Sequence, residues 1–277
     1  MIARRQFLWS GALAGVAAAA YPIVVEPRWL DLTFTKVSLA AEGTIVRVLH
    51  LSDFHASWAV PVSMIDAAIQ MGLSARPDLI CLTGDFITHR YDSHVWQYVL
   101  ALRRLTAVGP VFAVLGNHDG GIWASKRRGY ADHSVVDRLL EDAGVTLLHN
   151  RAQPMEIKGA KFLLVGVADL WSGELDAARA FRSVRDKERV ILLSHNPDSK
   201  DALPFAWDLM LCGHTHGGQV IIPFEGPRYA PVVDQRFIAG LYAWNGRQIY
   251  ITRGVGNLGG VRFRCRPEVT ILDIQVA

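Results

Sequence analysis

Short apolar runs and longer amphipathic segments alternate along most of the chain. Continuous apolar runs predict buried strands at six places: Ile45–Ser52, Asp78–Thr83, Val111–Leu115, Phe162–Ala168, Val190–Ser194 and Leu209–Cys212. Between these strands, apolar residues at helical spacing predict four helices: Val62–Ala75, Ser93–Thr106, Ser134–Ala143 and Glu174–Val184.

The last third of the chain, from Gly217 onward, has strand-like segments and no helical pattern. These segments are Gln219–Ile222, Phe237–Trp244, Gln248–Thr252 and Val269–Val276. The pattern predicts an α/β domain whose C-terminal part is mostly β. Because each element must bury an apolar face, we expect sheets packed face to face with helices outside them.

Residues 1–25 are predicted to be a targeting segment and not part of this fold. Arg4 and Arg5 precede a hydrophobic stretch, as in twin-arginine export signals. The uncharged run over residues 7–25 has 19 residues, the lower limit for spanning a bilayer. A cleaved signal peptide and an uncleaved membrane anchor both fit. We therefore expect export to the periplasm or cell envelope, or anchoring in the inner membrane.

Composition and charge exclude several classes of protein. The chain has 277 residues, of which 51% are hydrophobic and 20% charged, so it can bury a substantial core. Its net charge of only +3 argues against a nucleic-acid partner. The cysteines, Cys81, Cys212 and Cys265, include no CxxC pair, which argues against a disulfide framework and a thiolate zinc site.

Polar side chains follow five of the predicted strands at the point where each strand ends. They occur in Asp53-Phe-His55, Gly84-Asp85, Gly116-Asn-His-Asp119, His195-Asn196 and Gly213-His-Thr-His216. Binding groups gather at the carboxyl ends of strands in α/β sheets, because the loops converge there. The same interval of 32 residues separates Asp53 from Asp85 and Asp85 from Asn117, which fits one strand–helix–strand unit. We expect these groups to lie side by side at one sheet edge.

The residue types in these motifs predict a metal site. The candidate ligands are Asp53, His55, Asp85, Asn117, His195, His214 and His216. This mixed set of oxygen and imidazole groups suits Mn²⁺, Fe²⁺ or Zn²⁺ better than Ca²⁺, which prefers oxygen ligands alone. Seven ligands are too many for one tetrahedral ion and fit two divalent metal ions that share a carboxylate. Two ions about 3.5–4 Å apart clamp the oxygens of an in-line displacement at phosphorus.

The five motifs, in this order, resemble those of the calcineurin-like metallophosphoesterase superfamily from about residue 45 to the C-terminus. The segments 213–219 (GHTHGGQ) and 253–256 (RGVG) resemble a bacterial branch of exported or membrane-anchored phosphodiesterases. That branch includes UDP-2,3-diacylglucosamine pyrophosphatases of lipid A biosynthesis. The resemblance implies an α/β fold over residues 44–277: a four-layer αββα sandwich, with two mixed β-sheets flanked by helices. It also implies a phosphodiester or pyrophosphate substrate, including a lipid-linked one.

The resemblance also implies a role for each motif residue. Two ligand sets share Asp85 as a bridge: Asp53, His55 and His216 for one ion, and Asn117, His195 and His214 for the other. A hydroxide between the ions would attack phosphorus, because metal coordination lowers the pKa of water. His118 would protonate the leaving oxygen, and Asp119 would orient His118. Thr88 stands where purple acid phosphatases have a tyrosine ligand, which argues against an Fe³⁺ centre.

Several functions fit these motifs. The principal hypothesis is a metal-dependent phosphodiesterase or pyrophosphatase of the cell envelope, and UDP-2,3-diacylglucosamine pyrophosphatase is its alternative. An export signal fits the alternative less well, because UDP-linked precursors are not expected outside the cytoplasm. A non-catalytic metal-binding scaffold is disfavoured because every predicted ligand and His118 are present. A nuclease is disfavoured by the small net charge and the leader.

A few further residues carry open expectations. Trp58 and Trp123 follow metal motifs and are expected either to line the substrate cleft or to pack under a loop. Arg127 and Arg128 are candidates for contact with a second phosphate.

Two other groups are expected to lie at the surface. Arg262, Arg264 and Arg266 alternate with other residues, as in an edge strand with one basic face. His89, His94, His133 and His149 lie outside any motif and are expected in loops or at the surface.

Overall fold

A computed structural model describes residues 20–227 and 230–276. Most of the predicted targeting segment, residues 1–19, lies outside the described residues, so the signal peptide or anchor stays a prediction. Within residues 20–227 and 230–276, no helix is both long enough and apolar enough to cross a membrane.

The first sheet has six strands. They are β1 (Asp31–Ser38), β2 (Thr44–Leu51), β3 (Leu79–Thr83), β4 (Val111–Val114), β5 (Thr146–Leu147) and β14 (Glu268–Val276). Their order across the sheet is β1-β14-β2-β3-β4-β5. Strands β2, β3 and β4 run parallel to one another, whereas β14 is antiparallel to β2. The sheet is therefore mixed.

The second sheet also has six strands. They are β6 (Arg151–Ile157), β7 (Ala160–Gly166), β8 (Val190–Leu193), β9 (Leu209–Cys212), β12 (Gly240–Trp244) and β13 (Arg247–Ile251). Their order is β12-β13-β9-β8-β7-β6, with parallel pairing from β13 to β7 and antiparallel pairing at both edges. A separate small ribbon pairs β10 (Ile221–Ile222) with β11 (Gly226–Pro227).

Helices cover the outer faces of both sheets. The α-helices are α1 (Val62–Leu73), α2 (Val95–Thr106), α3 (Ile122–Ser125), α4 (Ser134–Ala143), α5 (Ala177–Phe181) and α6 (Ser199–Ala202). Shorter helical turns are a π-turn at Tyr21–Val25 and 3₁₀ turns at Glu26–Arg28 and His216–Gly218. Apolar residues of α1, α2 and α4 pack on the first sheet, and those of α5 pack on the second.

The apolar runs of the sequence are continuous because their strands are buried on both faces. In β2, Leu49 packs under the helices, while its neighbour Val48 packs between the two sheets. Leu272 of β14 and Leu211 of β9 meet Val48 in that inter-sheet core. The predicted arrangement of two mixed sheets flanked by helices is confirmed.

Three edge strands of the two sheets, β1, β5 and β6, were not predicted. The first sheet begins at Asp31, ahead of residue 44 where the domain was expected to start, because β1 pairs in parallel with β14. Strands β1 and β6 have partly exposed residues along their length, and β5 has only two residues, so none of the three has a continuous apolar run. The predicted helix Glu174–Val184 is reduced to α5, because the Asp176 carboxylate caps it by accepting from Arg179 N.

Leu272→Ala tests how much the inter-sheet core contributes to stability. Leu272 is fully buried between the sheets, so we expect the substitution to lower the free energy of unfolding by about 2–5 kcal/mol. Leu100→Ala is the matched control, because Leu100 lies on α2 with 45% of its surface exposed. Chemical denaturation measures both. Equal losses in the two variants would contradict the assignment of Leu272 to the core.

Candidate active site

The strand ends of the two sheets bring all of the predicted metal ligands together. The first sheet contributes Asp53 and His55 after β2, Asp85 after β3 and Asn117 after β4. The second contributes His195 after β8, and His214 and His216 after β9. The two groups touch across the interface, where the backbone N–H of His214 donates to Asp53 Oδ1 at 3.0 Å.

Asp53, His55 and His216 lie together in a first group that could hold a metal ion, the set that the family resemblance implies for one ion. One ligand atom from each lies within 4.8 Å of the other two. His216 Nε2 is 3.4 Å from Asp53 Oδ1 and 3.1 Å from His55 Nε2. All three residues are buried, so their donor atoms face one another in a nearly water-free space.

Asp85 lies between this group and a second one. Its Oδ2 atom is 3.3 Å from His55 Nε2 and 3.1 Å from His195 Nε2. His195 Nε2 in turn is 3.1 Å from His214 Nδ1. A single carboxylate thus contacts imidazoles of both groups, which is the position a bridging ligand requires.

Hydrogen bonds fix the orientation of the second pair of imidazoles. His195 Nδ1–H donates to the carbonyl of Thr83 at 2.7 Å, and His214 Nε2–H donates to the carbonyl of Pro231 at 2.9 Å. These contacts leave His195 Nε2 and His214 Nδ1 facing each other at 3.1 Å, with His195 Nε2 also 3.1 Å from Asp85 Oδ2. Backbone carbonyls commonly orient metal-binding histidines in this way.

The donor set fits divalent metal ions. Three buried atoms of the cluster have no hydrogen-bond partner among the described residues: Asn117 Oδ1, His55 Nδ1 and His216 Nδ1. A buried amide oxygen without a partner is costly unless something else binds it. Asn117 Oδ1 lines the same cleft as Asp85, and a metal ion would satisfy it.

Burial and charge set the protonation states of the cluster. Burial lowers the pKa of His55 and of His214 to about 3, so both imidazoles are neutral and can donate lone pairs. Burial opposes ionisation of Asp85, but His195, His118 and His55 together hold the pKa of Asp85 well below its usual value. Burial also opposes the charge on His195, but Asp85, Asp53 and Asp169 together raise the pKa of His195 well above its usual value.

The backbone is strained where it presents these ligands. Five residues of the cluster have left-handed backbones with φ between 49° and 71°: Asp53, His55, Asp85, His214 and His216. This conformation costs L-residues roughly 1–2 kcal/mol each and concentrates at functional sites. Close approach adds a second constraint, because a Cβ at Gly213 would collide with the Asp53 carboxylate.

His118 lies in the cleft, whereas the Asp119 carboxylate makes contacts other than the expected one. His118 lines the cleft, and its Nδ1–H donates to the carbonyl of Thr88 at 2.6 Å, which leaves Nε2 free to meet a substrate. The prediction that Asp119 orients His118 is wrong. The Asp119 carboxylate instead accepts from the backbone N–H groups of Asp85 at 2.8 Å, Phe86 at 2.7 Å and Gly116 at 2.8 Å. It therefore ties together the two loops that carry Asp85 and Asn117.

Sequence reasoning missed Asp169, an acid that follows β7 much as the candidate ligands follow their strands. Asp169 is buried, its Oδ2 has no partner among the described residues, and burial raises its pKa to about 6. The nearby positive charge of His195 opposes that rise. Its Oδ1 accepts from the N–H of Trp171 at 2.8 Å, so Asp169 positions the loop beside the cluster. The acid directly after the apolar run 162–168 was the available signal.

A cleft of about 720 Å³ opens over the cluster. Trp123 and Trp171 stack at 6.0 Å between ring centroids and form one wall, and Arg127 lies 4.1 Å above the Trp123 ring. Trp123 therefore lines the cleft, which was one of the two expectations for it, and Arg127 lines the cleft beside it. Trp58 is 88% exposed and does not belong to this wall, and neither does Arg128.

Arg262 is not part of a basic surface, contrary to expectation. The segment is not a strand, and Arg262 is fully buried. Its guanidinium donates to five backbone carbonyls: His216, Arg253, Gly254, Gly256 and Cys265. It thereby joins the turn of the ligand His216 to the loop that follows β13.

Buried acids, an amide and imidazoles at the strand ends of two packed sheets indicate a metal-dependent hydrolase. Residues 46–218 match the family of calcineurin-like phosphoesterases, and the chain belongs to that family. It is accordingly a phosphoric ester hydrolase. The family resemblance seen in the motifs is confirmed.

Known relatives include enzymes named for two related activities. Over 99% of its length the chain is 38% identical to phosphodiesterase YaeI of Escherichia coli K12, all of which is covered. It is 24% identical to the UDP-2,3-diacylglucosamine pyrophosphatase LpxG of Chlamydia trachomatis, over 90% of each chain. The NAD nucleotidase of Haemophilus influenzae shares the fold with a TM-score of 0.50 at 14% identity, over 78% of this chain and 46% of that one.

Arg262→Lys tests whether the guanidinium holds the His216 turn. A lysine keeps the charge but offers three donors from one point, so several of the buried carbonyls lose their partner. We expect a loss of at least about 3 kcal/mol in the free energy of unfolding. We also expect weaker metal binding. Arg264→Lys is the control, because Arg264 is exposed two residues away. Denaturation and metal titration measure both effects, and an Arg262→Lys variant as stable as the control would contradict this role.

Proposed function

We propose that this phosphoric ester hydrolase is a phosphodiesterase with two divalent metal ions, acting at the cell envelope. The single observation that carries the proposal is the position of Asp85 between two groups of imidazoles. Its Oδ2 is 3.3 Å from His55 Nε2 and 3.1 Å from His195 Nε2. One ion would be held by Asp53, His55 and His216, and the other by Asn117, His195 and His214. Mn²⁺, Fe²⁺ and Zn²⁺ all suit this donor set.

The bound ions would neutralise phosphate charge and lower the pKa of water at the site. The protein's own groups supply the rest. His118 Nε2 faces the cleft with its ring held by Thr88, so it can donate a proton to the leaving oxygen. His118 also packs at 4.6 Å against Trp123, which restricts its rotation. Because His118 Nδ1 is occupied, Nε2 is the atom that carries the exchanged proton.

The wall of the cleft supports a diester whose organic group is flat or apolar. Trp123, Trp171, Val220 and Leu258 all line the space over the cluster. Aromatic surfaces of this kind pack against planar rings and acyl chains. Arg127 adds a positive charge beside Trp123, where it can meet a second anionic group. A diester or a pyrophosphate carrying such a group fits both features.

The alternative is a UDP-2,3-diacylglucosamine pyrophosphatase. The same apolar wall favours it, since its substrate carries acyl chains, and the LpxG relatives bear that name. The whole-length similarity to a phosphodiesterase at 38% identity favours the principal proposal.

The cell-envelope location rests on the sequence of the leader and on the surface beside it. Ile23, Val24 and Trp29 expose about half of their surfaces, and they lie next to Arg28. Arg266 stacks 4.3 Å from the Trp29 ring. An apolar patch with basic residues suits the interface of an anionic membrane.

The same segment is anchored close to the cluster. Glu26 is buried and accepts a hydrogen bond from the N–H of Cys265. Cys265 Sγ in turn lies 3.2 Å from the carbonyl of His216. The described N-terminal segment is therefore joined at Glu26, through Cys265, to the turn of His216, which supports a substrate presented at a membrane surface.

A pair of variants separates metal binding from proton transfer. Asp85→Asn is expected to lose both metal ions and essentially all hydrolysis of bis-p-nitrophenyl phosphate. His118→Asn is expected to keep its metal content but to lower kcat by about 10²–10⁴, since it loses only the proton donor. Metal analysis and steady-state kinetics measure both. Asp92→Asn and His94→Asn, at exposed positions outside the cluster, are the controls. Normal turnover in Asp85→Asn or His118→Asn would overturn the site assignment.

Substrate choice is tested by comparing two phosphoesters with the Mn²⁺-loaded full chain in mild detergent. We expect ready hydrolysis of bis-p-nitrophenyl phosphate and slow release of UMP from UDP-2,3-diacylglucosamine. Faster release of UMP than of p-nitrophenol would instead support the pyrophosphatase alternative. Failure to cleave either compound while metal is bound would contradict both proposals and favour a binding role.

A further inference from the structure

A second cluster of metal-ligating side chains lies outside the catalytic cluster. His133 immediately precedes α4, His149 lies between β5 and β6, and Glu174 lies between β7 and α5. One ligand atom from each comes within 4.8 Å of the other two. The three side chains are 21–37% exposed, so they form a shallow site that solvent reaches. None of them belongs to a motif of the catalytic site.

The distances in this cluster match those between ligands of one zinc ion. Glu174 Oε2 is 3.5 Å from His133 Nε2 and 3.4 Å from His149 Nε2. Tetrahedral Zn²⁺ with bonds of about 2.0–2.1 Å places its ligand atoms about 3.3–3.4 Å apart. Both measured distances exceed the usual 2.7–3.2 Å of an N–H···O hydrogen bond. Direct hydrogen bonding therefore does not account for the convergence.

The catalytic cluster has the same spacing. There, neighbouring ligand atoms approach one another to 3.1–3.4 Å, in the pairs Asp53–His216, His55–His216, His55–Asp85 and Asp85–His195. The second cluster thus repeats the spacing that the chain uses where its family motifs place a metal.

Neighbouring groups prepare the two imidazoles for binding. His133 Nδ1–H donates to Asp137 Oδ2 at 2.6 Å, which fixes the tautomer and leaves the Nε2 lone pair pointing at Glu174. A carboxylate behind a histidine in this way is a frequent partner of metal-bound imidazole. Burial and the adjacent His133 lower the pKa of His149, which favours its neutral form.

The backbone around the cluster is held from a second direction. Asn150 Nδ2 donates to the carbonyl of Glu174 at 2.7 Å. Asn150 Oδ1 accepts from the N–H of Ala168 at 3.0 Å and from that of Asp176 at 3.2 Å. Because Asn150 is next to His149 in the chain, these bonds fix Glu174 relative to His149. Hydrogen bonds of the backbone therefore hold the cluster together, and its geometry does not depend on the side-chain conformations alone.

We propose that His133, His149 and Glu174 bind one Zn²⁺ ion, with a fourth position open to water. Two imidazoles and one carboxylate are a common ligand set for zinc. The ion would join the start of α4 to the loop that carries Trp171, three residues before Glu174. That loop also contacts the segment that carries Trp123 of the same wall, because Ile122 N–H donates to the carbonyl of Ser172 at 3.2 Å. The site would thereby brace the substrate cleft from outside.

The test counts zinc in the full chain and two variants. The apoprotein is dialysed against Zn²⁺, and metal per chain is measured for wild type, His149→Gln and Glu174→Gln. We expect each variant to lose one equivalent relative to wild type. We expect no loss in His94→Gln and Glu141→Gln, which change exposed side chains outside both clusters. This difference does not depend on how many ions the catalytic cluster holds, so it is independent of the proposed function.

Anomalous diffraction at the zinc absorption edge, from zinc-loaded wild-type crystals, tests the proposed zinc site even if a variant folds poorly. An anomalous peak bonded to His133 Nε2, His149 Nε2 and Glu174 Oε2 is the expected result. Equal zinc content in all five proteins, or an absence of anomalous density among these three atoms, would overturn the proposal.

Discussion

Two buried carboxylates facing buried imidazoles are the constraint on which the rest of the structure depends. Asp53 and Asp85 have lost nearly all contact with water, and desolvation of a carboxylate is costly unless opposite charge or donors replace the water. Backbone amides and His195 supply part of that compensation, and divalent ions would supply the rest. The left-handed residues, the glycine contacts and the oriented imidazoles all serve to hold neighbouring polar atoms of these groups 3.1–4.0 Å apart.

The site and the fold cannot be separated, because neither sheet holds the cluster alone. Asp53 and Asp85 come from the first sheet, whereas His195 and His214 come from the second. The inter-sheet core sets the distance between these two sets of strand ends. Asp119 and Arg262 then hold the loops on either side of the cluster. The Asp119 carboxylate accepts from backbone N–H groups, and the Arg262 guanidinium donates to backbone carbonyls. The contacts that pack the inter-sheet core therefore also fix the distances between the side chains of the cluster.

The central strands and the residues that gather at the candidate metal site could be predicted from the sequence, because both carry strong local signals. A strand buried on both faces is a continuous apolar run, and an Asp or His directly after it is conspicuous. The edge strands β1 and β6 lack such runs, since one face of each meets solvent. Arg262 was misplaced because alternation of charged residues does not reveal which side faces inward. Asp119 was given the wrong partner because sequence proximity to His118 does not report where its carboxylate points.

The most direct test of the central claim is anomalous diffraction from crystals of the full chain loaded with Mn²⁺. The account predicts two peaks at the catalytic cluster, about 3.5–4 Å apart, with the Asp85 carboxylate between them. One peak should be bonded to Asp53, and the other to Asn117 Oδ1. A single ion at the cluster, or two ions that do not share Asp85, would contradict it.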